Sequence, residues 1–184
     1  MDPVKLIEKY YKKNGAAYRY LKEHNESVAK KALEIVKNMN DPSVVDITFI
    51  KEAALLHDIG VRFTHAPHIG CFGKDSYIMH GVIGRKILEK EGFKEHALVC
   101  ERHIGVGITA KEVRENDLPL PERDMVPLTK EEEIVSLADN FFSKSNSDLS
   151  REESIEEMEQ EAKKYGEEKL KKLREWMSKY NILA

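Results

Sequence analysis

The stretch DITFIKEAALLHDIG, residues 46–60, decides the fold. From Asp46 to Ile59 apolar residues fall on nearly every side of a 3.6-residue helical wheel, the pattern of a helix buried all round. Such a helix sits at the centre of a core, and the rest of the chain must wrap it. Its last turn nonetheless carries His57 and Asp58, both ionisable and both able to ligate a metal. Gly60 stands where a left-handed C-terminal cap would end the helix.

Upstream, Ala17, Leu21, His24, Val28, Ala32 and Ile35 share one helical face, and Asn40-Asp-Pro42 supplies the stop. Downstream, residues 61–75 contain glycines, Pro67 and no sustained period, so they read as a loop. Helices follow over about 76–91 and 94–103, separated at Gly92. Residues 105–128, with Pro119, Pro121 and Pro127, read as irregular. Thr129-Lys-Glu-Glu132 has the form of a capping box opening a helix through about Phe142. Ser150-Arg-Glu-Glu153 has the same form and is expected to open a charged final helix over about 150–180. The thin stripe of that last helix, Ile155, Met158, Ala162, Tyr165, Leu173 and Trp176, has irregular heptads and suits packing along one side of the core better than a coiled-coil partner. No alternating strand pair stands out, and the fold class is all-α.

A chain of 184 residues is expected to form one domain, 1–184, with its core over about 20–142. Apolar residues at 41% and charged residues at 34% suit a globular protein that buries a core. A net charge of −3 provides no overall basic field, which makes nucleic acid an unlikely partner. No run is apolar enough to span a bilayer and the N-terminus is charged throughout, so no membrane partner and a cytoplasmic location are expected. Composition leaves the oligomeric state open. Cys71 and Cys100 form no C-x-x-C pair; they are expected to stay reduced and to hold no thiolate zinc site.

Six polar side chains fall on inward helical faces. His24 lies near Leu21 and Val28, His57 follows Leu55-Leu56, His80 lies near Ile83 and Ile87, and His103 lies near Val99 and Cys100. Asp58 and Asp139 join them, the latter between Val135 and Phe142. Burying a carboxylate without compensation costs several kcal/mol, and no Lys or Arg recurs on these faces. A divalent cation would neutralise both carboxylates and use the imidazoles as neutral donors. Imidazole and carboxylate without thiolate suit iron, manganese, cobalt, nickel or zinc, as one ion or two. His65 and His68 read as exposed loop residues and His96 as a surface residue.

The ordered set His24, His57-Asp58 and Asp139, with HDIG itself at 57–60, resembles the HD-domain superfamily of metal-dependent phosphohydrolases. The match includes Leu21-x-x-His24-x-x-x-Val28-Ala29 and Glu133-Ile-Val-Ser-Leu-Ala-Asp139 and covers about residues 20–142; it is nearest to small stand-alone HDIG proteins. The resemblance implies a helical bundle in which His24, His57, Asp58 and Asp139 ligate a first metal. His80 and His103 match ligands of a second ion, bridged by Asp58, which would also orient the attacking water as the catalytic aspartate. Two departures stand out. The segment Arg102-His103-Ile-Gly-Val-Gly107 lacks the paired histidines and GYP signature of cyclic-dinucleotide phosphodiesterases, and Val61 stands where many relatives carry lysine, leaving Arg62 as the nearest cation. The implied activity is hydrolysis of a phosphomonoester or phosphodiester in a nucleotide or other small phosphorylated metabolite. Arg62, Lys74 and Arg102, and less directly Arg85, are the candidate substrate cations. Two alternatives are an HD-fold di-iron oxygenase, which uses the same ligand order, and a non-catalytic metal-containing ligand-binding or regulatory module.

Overall fold

A computed structural model describes residues 2–142 and 150–182. The chain is helical apart from one small hairpin among the described residues, as the all-α reading expects. The long helix α2, Ala16–Asn38, packs along α3, Ile47–Leu56, and α7, Lys130–Asp139. Beside them, α4, His80–Lys90, pairs closely with α5, Lys94–Arg102. Side-chain caps open two of these helices. Asp46 caps α3 by accepting from Phe49 N at 2.9 Å, and Thr129 caps α7 by accepting from Glu132 N at 3.2 Å.

Two apolar clusters hold the bundle. One joins Val28, Ala32 and Ile35 of α2 to Ile50 and Ala53 of α3 and to Ile134, Val135 and Leu137 of α7. The other joins Leu21, Leu56 and Ile59 to Leu88 of α4 and Cys100 of α5. The polar residues described below sit between them.

Several expectations are corrected. The buried helix ends at Leu56, and His57 and Asp58 lie just beyond it. The chain continues through i→i+3 turns, with Ile59 N bonded to Leu56 O and Val61 N to Asp58 O, so no left-handed stop is needed. Gly60 accordingly has φ −79°. Residues 61–75 contain a short hairpin, β1 His65–Ala66 against β2 Cys71–Phe72, too brief to leave an alternating pattern. The proline-bearing region holds the short helix α6, Ala110–Glu115, opened by a reciprocal capping box between Thr109 and Glu112. At Thr129 the box is only half formed, because the Glu132 side chain accepts from Leu128 N instead.

The final helix is two helices, α8 Ile155–Lys164 and α9 Glu167–Lys179, broken at Gly166 with φ +115°. The box that starts α8 is Ser154 with Glu157, one turn beyond Ser150. Met158, Leu173, Trp176, Met177 and Tyr180 join the first cluster, so this arm does pack along the core, while Tyr165 is exposed.

A short N-terminal helix, α1 Pro3–Tyr10, starts at the Asp2 cap and ends at Tyr11. The buried Tyr11 hydroxyl donates to Ile59 O and accepts from Arg62 N, both at 3.0 Å, and so fastens both sides of the Gly60 turn. Burial pushes this phenol well above its usual pKa, which keeps the donor proton in place. Tyr11→Phe leaves both backbone groups without the hydroxyl, at a cost of about 1–3 kcal/mol each. A fall in stability of about 2 kcal/mol or more in denaturant unfolding is the expected result; a variant as stable as the parent would contradict it.

Candidate metal centre

Three of the four inward histidines are set by one local device. His57 follows α3, His103 follows α5, and His80 follows the 3-10 turn Tyr77–Met79. In each, Nδ1 lies against the carbonyl three residues earlier: Ala54 at 2.7 Å, Tyr77 at 2.7 Å and Cys100 at 2.8 Å. A carbonyl only accepts, so each Nδ1 donates to it, and in the neutral imidazole Nε2 is then the nitrogen that presents a lone pair. The carbonyl one turn back thus fixes the orientation of each ring.

Those nitrogens converge on two carboxylates. His24 Nε2 lies 3.0 Å from Asp139 Oδ1 and 3.5 Å from Asp58 Oδ2, and His57 Nε2 lies 3.3 and 3.7 Å from the same two oxygens. The other oxygen of Asp58, Oδ1, lies 3.3 Å from His80 Nε2 and 3.4 Å from His103 Nε2, with 3.2 Å between those nitrogens. One aspartate therefore faces two histidine pairs, one through each oxygen. Donor atoms of His24, His57 and Asp139, and again of His57, Asp58 and His103, close to within 4.8 Å. The two sets share His57, so they form one contiguous centre, and the distances of His80 to Asp58 and His103 bring it into the same centre.

The donor set fits a divalent cation. Neutral imidazoles would aim their lone pairs at the same point as the carboxylate oxygens, an arrangement that a positive charge among them satisfies. Ligands about 2.1 Å from an ion stand about 3.0 Å apart at right angles and about 3.4 Å apart at a tetrahedral angle, the range of most of these distances, with Asp58 Oδ2 somewhat farther, at 3.5 and 3.7 Å from His24 and His57 Nε2. All four histidines and Asp58 are buried, and the Asp139 side chain, 12% exposed, forms the open edge. Tyr20 stacks on His24 at 6.3 Å between ring centres, and the Tyr77 ring lies 4.8 Å from that of His80. Cys100 stays outside the donor set: burial pushes its thiol well above the usual range, and Sγ donates to Leu56 O at 3.3 Å.

Glycines bring the two halves together. A Cβ on Gly81 would stand 2.6 Å from Cys100 O, and one on Gly84 would stand 3.2 Å from the Cys100 side chain. Without these Cβ atoms α4 can press its backbone onto α5, and His80 reaches His103.

The candidate substrate cations fare differently. Arg62 is exposed, its guanidinium 6.0 Å from the Tyr11 ring centre, and Lys74 is exposed beyond the hairpin. Arg102 is held instead by Glu132, with Nη1 at 2.8 and 3.1 Å from the two carboxylate oxygens, so its charge is answered inside the protein. Arg85 pairs with Glu89 and with the buried Glu101, which Arg123 also reaches. Glu101 and Glu132 escape a reading by periodicity because their partners come from distant segments. His65 and His68 are exposed, as expected. His96 is no surface residue: Nε2 lies 3.4 Å from Glu52, the ring meets Phe49 edge-on at 4.6 Å, and burial lowers its pKa.

Comparison with known proteins gives these residues a context. An uncharacterized protein of Methanocaldococcus jannaschii is 42% identical over 122 residues, which are 65% of this chain and 64% of that protein. A tRNA (cytidine(56)-2'-O)-methyltransferase of Thermoplasma volcanium is 37% identical over 139 residues, 75% of this chain and 35% of the enzyme. The enzyme of that name from Picrophilus torridus is 37% identical over 121 residues, 65% of this chain and 30% of its own length. The chain thus spans less than two thirds of each of these relatives. No solved structure matches it. The HD domain model matches residues 21–143, a span that contains all six converging donors, and the chain belongs to the HD domain family.

Proposed function

We propose that this chain is a metal-dependent phosphohydrolase acting on a nucleotide or another small phosphorylated metabolite, working in the cytoplasm. The observation that carries the reading is Asp58, whose two oxygens face separate histidine pairs at 3.3–3.7 Å. A divalent ion supplies Lewis-acid chemistry when bound in such a place, lowering the pKa of water from 15.7 to about 7 and drawing charge from a phosphoryl oxygen. His24, His57, Asp58 and Asp139 would hold one ion, and His80 and His103 with Asp58 a second. Asp58, fixed between both halves, is the group that orients the attacking water. Asp139 marks the side from which substrate approaches. Arg62 and Lys74 are the cations left to meet phosphate oxygens, since Arg102 is answered by Glu132. That similar stretches make up about a third of two proteins named as tRNA methyltransferases supports a nucleotide-type ester.

A second reading, oxygen chemistry at a pair of irons, rests on the same donors, because imidazole and carboxylate without thiolate suit redox-active iron equally. One experiment separates the two. Chelator-treated protein is reloaded with manganese, iron, cobalt, nickel or zinc and screened against nucleotides and other phosphorylated metabolites, with and without oxygen. Phosphate release with manganese under anaerobic conditions is the expected result. Turnover that requires both iron and oxygen would replace the hydrolase reading.

A further inference from the structure

His103 is immediately preceded by two charged residues, and both are committed to part-buried ion pairs built on a buried carboxylate. Glu101 is 3% exposed and is reached by Arg85 of α4 and by Arg123, whose Nε lies 3.2 Å from Oε1. Arg102 pairs with Glu132, itself 4% exposed and further anchored by Leu128 N at 2.7 Å. The destinations of these pairs carry the argument. Arg85 lies on the helix that begins with His80. Glu132 lies on α7 two turns before Asp139, on the same helical face. The end of α5 is therefore tied on one side to the helix carrying His80 and on the other to the helix carrying Asp139.

We propose that the Arg102–Glu132 and Glu101–Arg85 pairs act as a positioning clamp that sets His103 against His80 and Asp58, and so decides whether that half of the centre holds its ion. The inference rests on the metal-centre reading above. A buried ion pair is an inefficient way to gain stability, since apolar residues of similar volume often do as well or better. Its geometric value is greater: a charge-assisted contact fixes two helices in one register, and metal ligation tolerates only about 0.2 Å in ligand distance. The clamp residues are positioning residues, because they act through His103 rather than on substrate.

The test uses cobalt(II) alone as the probe, with binding followed by titration calorimetry and by the visible spectrum of the bound ion. In Arg102→Met/Glu132→Gln the pair is removed without leaving a lone buried charge, and the amide introduced on α7 can still accept from Leu128 N. The metal-free double variant is expected to melt within a few degrees of the parent. Its affinity for the second equivalent of cobalt is expected to fall about 10–100-fold, with an altered spectrum, the size of effect seen when groups that support metal ligands are removed. A folded double variant with the parent's two affinities and spectrum would overturn the clamp. Should the double variant fail to fold, Arg102→Lys decides: it keeps the charge and loses the shape of the contact, so weaker binding of the second ion supports the clamp and unchanged binding overturns it. Parent protein that binds no cobalt at all would instead sink the metal-centre reading, an outcome distinct from either.

Discussion

Asp58→Ala should abolish metal binding in one half of the centre and cripple it in the other, and phosphate release should fall to background with it. The expectation follows from the position of a single carboxylate. Oδ2 faces His24 and His57 at 3.5 and 3.7 Å, and Oδ1 faces His80 and His103 at 3.3 and 3.4 Å. Asp139 remains in the variant, but it is close only to His24 and His57, with His103 as far as 4.0 Å away. His80 and His103 would then lose the carboxylate oxygen they share, leaving a poor site for a divalent ion. Stability should respond in opposite directions according to the metal. A ligand at a thousand times its Kd stabilises the native state by about 4.1 kcal/mol, so the parent should gain that much on loading and the variant much less. In chelator the order should narrow or reverse, since the variant no longer buries an anion among lone pairs. Elemental analysis and melting curves with and without metal measure both effects. A variant that retains two equivalents, or gains as much stability from metal as the parent does, would remove Asp58 from the centre.

The contrast between Asp58 and the two buried glutamates shows what could be read in the sequence and what could not. His24, His57, His80, His103, Asp58 and Asp139 each stand at helical spacing from apolar neighbours, so their inward direction is legible from local pattern. The absence of cations on those faces is legible too, and it points to metal. Glu101 and Glu132 are as buried, yet Arg85, Arg123 and Arg102 answer them from segments whose proximity only the fold creates. No periodicity announces such a pairing. The ring orientations of His57, His80 and His103 are hidden for a related reason, because helix ends cannot be placed to the residue by pattern, and the device depends on a carbonyl three positions back. The helices that pattern misses, α1 and α6, are short, and α6 lies among prolines that read as irregular although Thr109 and Glu112 form a complete box. Gly60 stands out in the sequence as a conformational stop. Its φ of −79° is open to any residue, and the true constraint is space.

That constraint gives Gly60→Ala a large expected effect for a single methyl group, and one that reaches the metal centre. A Cβ at this position would stand 2.1 Å from His80 O and 2.5 Å from Gly84 N. Both are backbone atoms of α4, so no side chain can rotate aside, and ordinary separations of about 3.5 Å require the helix to move by about 1 Å or more. Overpacking a core costs about 1–3 kcal/mol where side chains can yield; here a helix that is itself pressed through Gly81 and Gly84 onto α5 must yield, and about 4 kcal/mol or more is expected. His80 is the first residue of the displaced helix, so the injury is also chemical. Its Nε2 would leave the 3.2–3.3 Å spacing to His103 and Asp58, while His24, His57 and Asp139 stand on elements outside α4. A folded fraction of Gly60→Ala should therefore retain the ion held by His24, His57 and Asp139 and lose the other. Gly92→Ala is the control, since Gly92 has φ +88° and nothing within 4 Å of a built Cβ. It carries backbone strain alone, about 1–2 kcal/mol, and both ions should stay. Denaturant unfolding in chelator, followed by metal stoichiometry on the refolded protein, compares the two. Equal losses of stability, or two retained ions in Gly60→Ala, would show that α4 has slack at this contact and that His80 is not held by it.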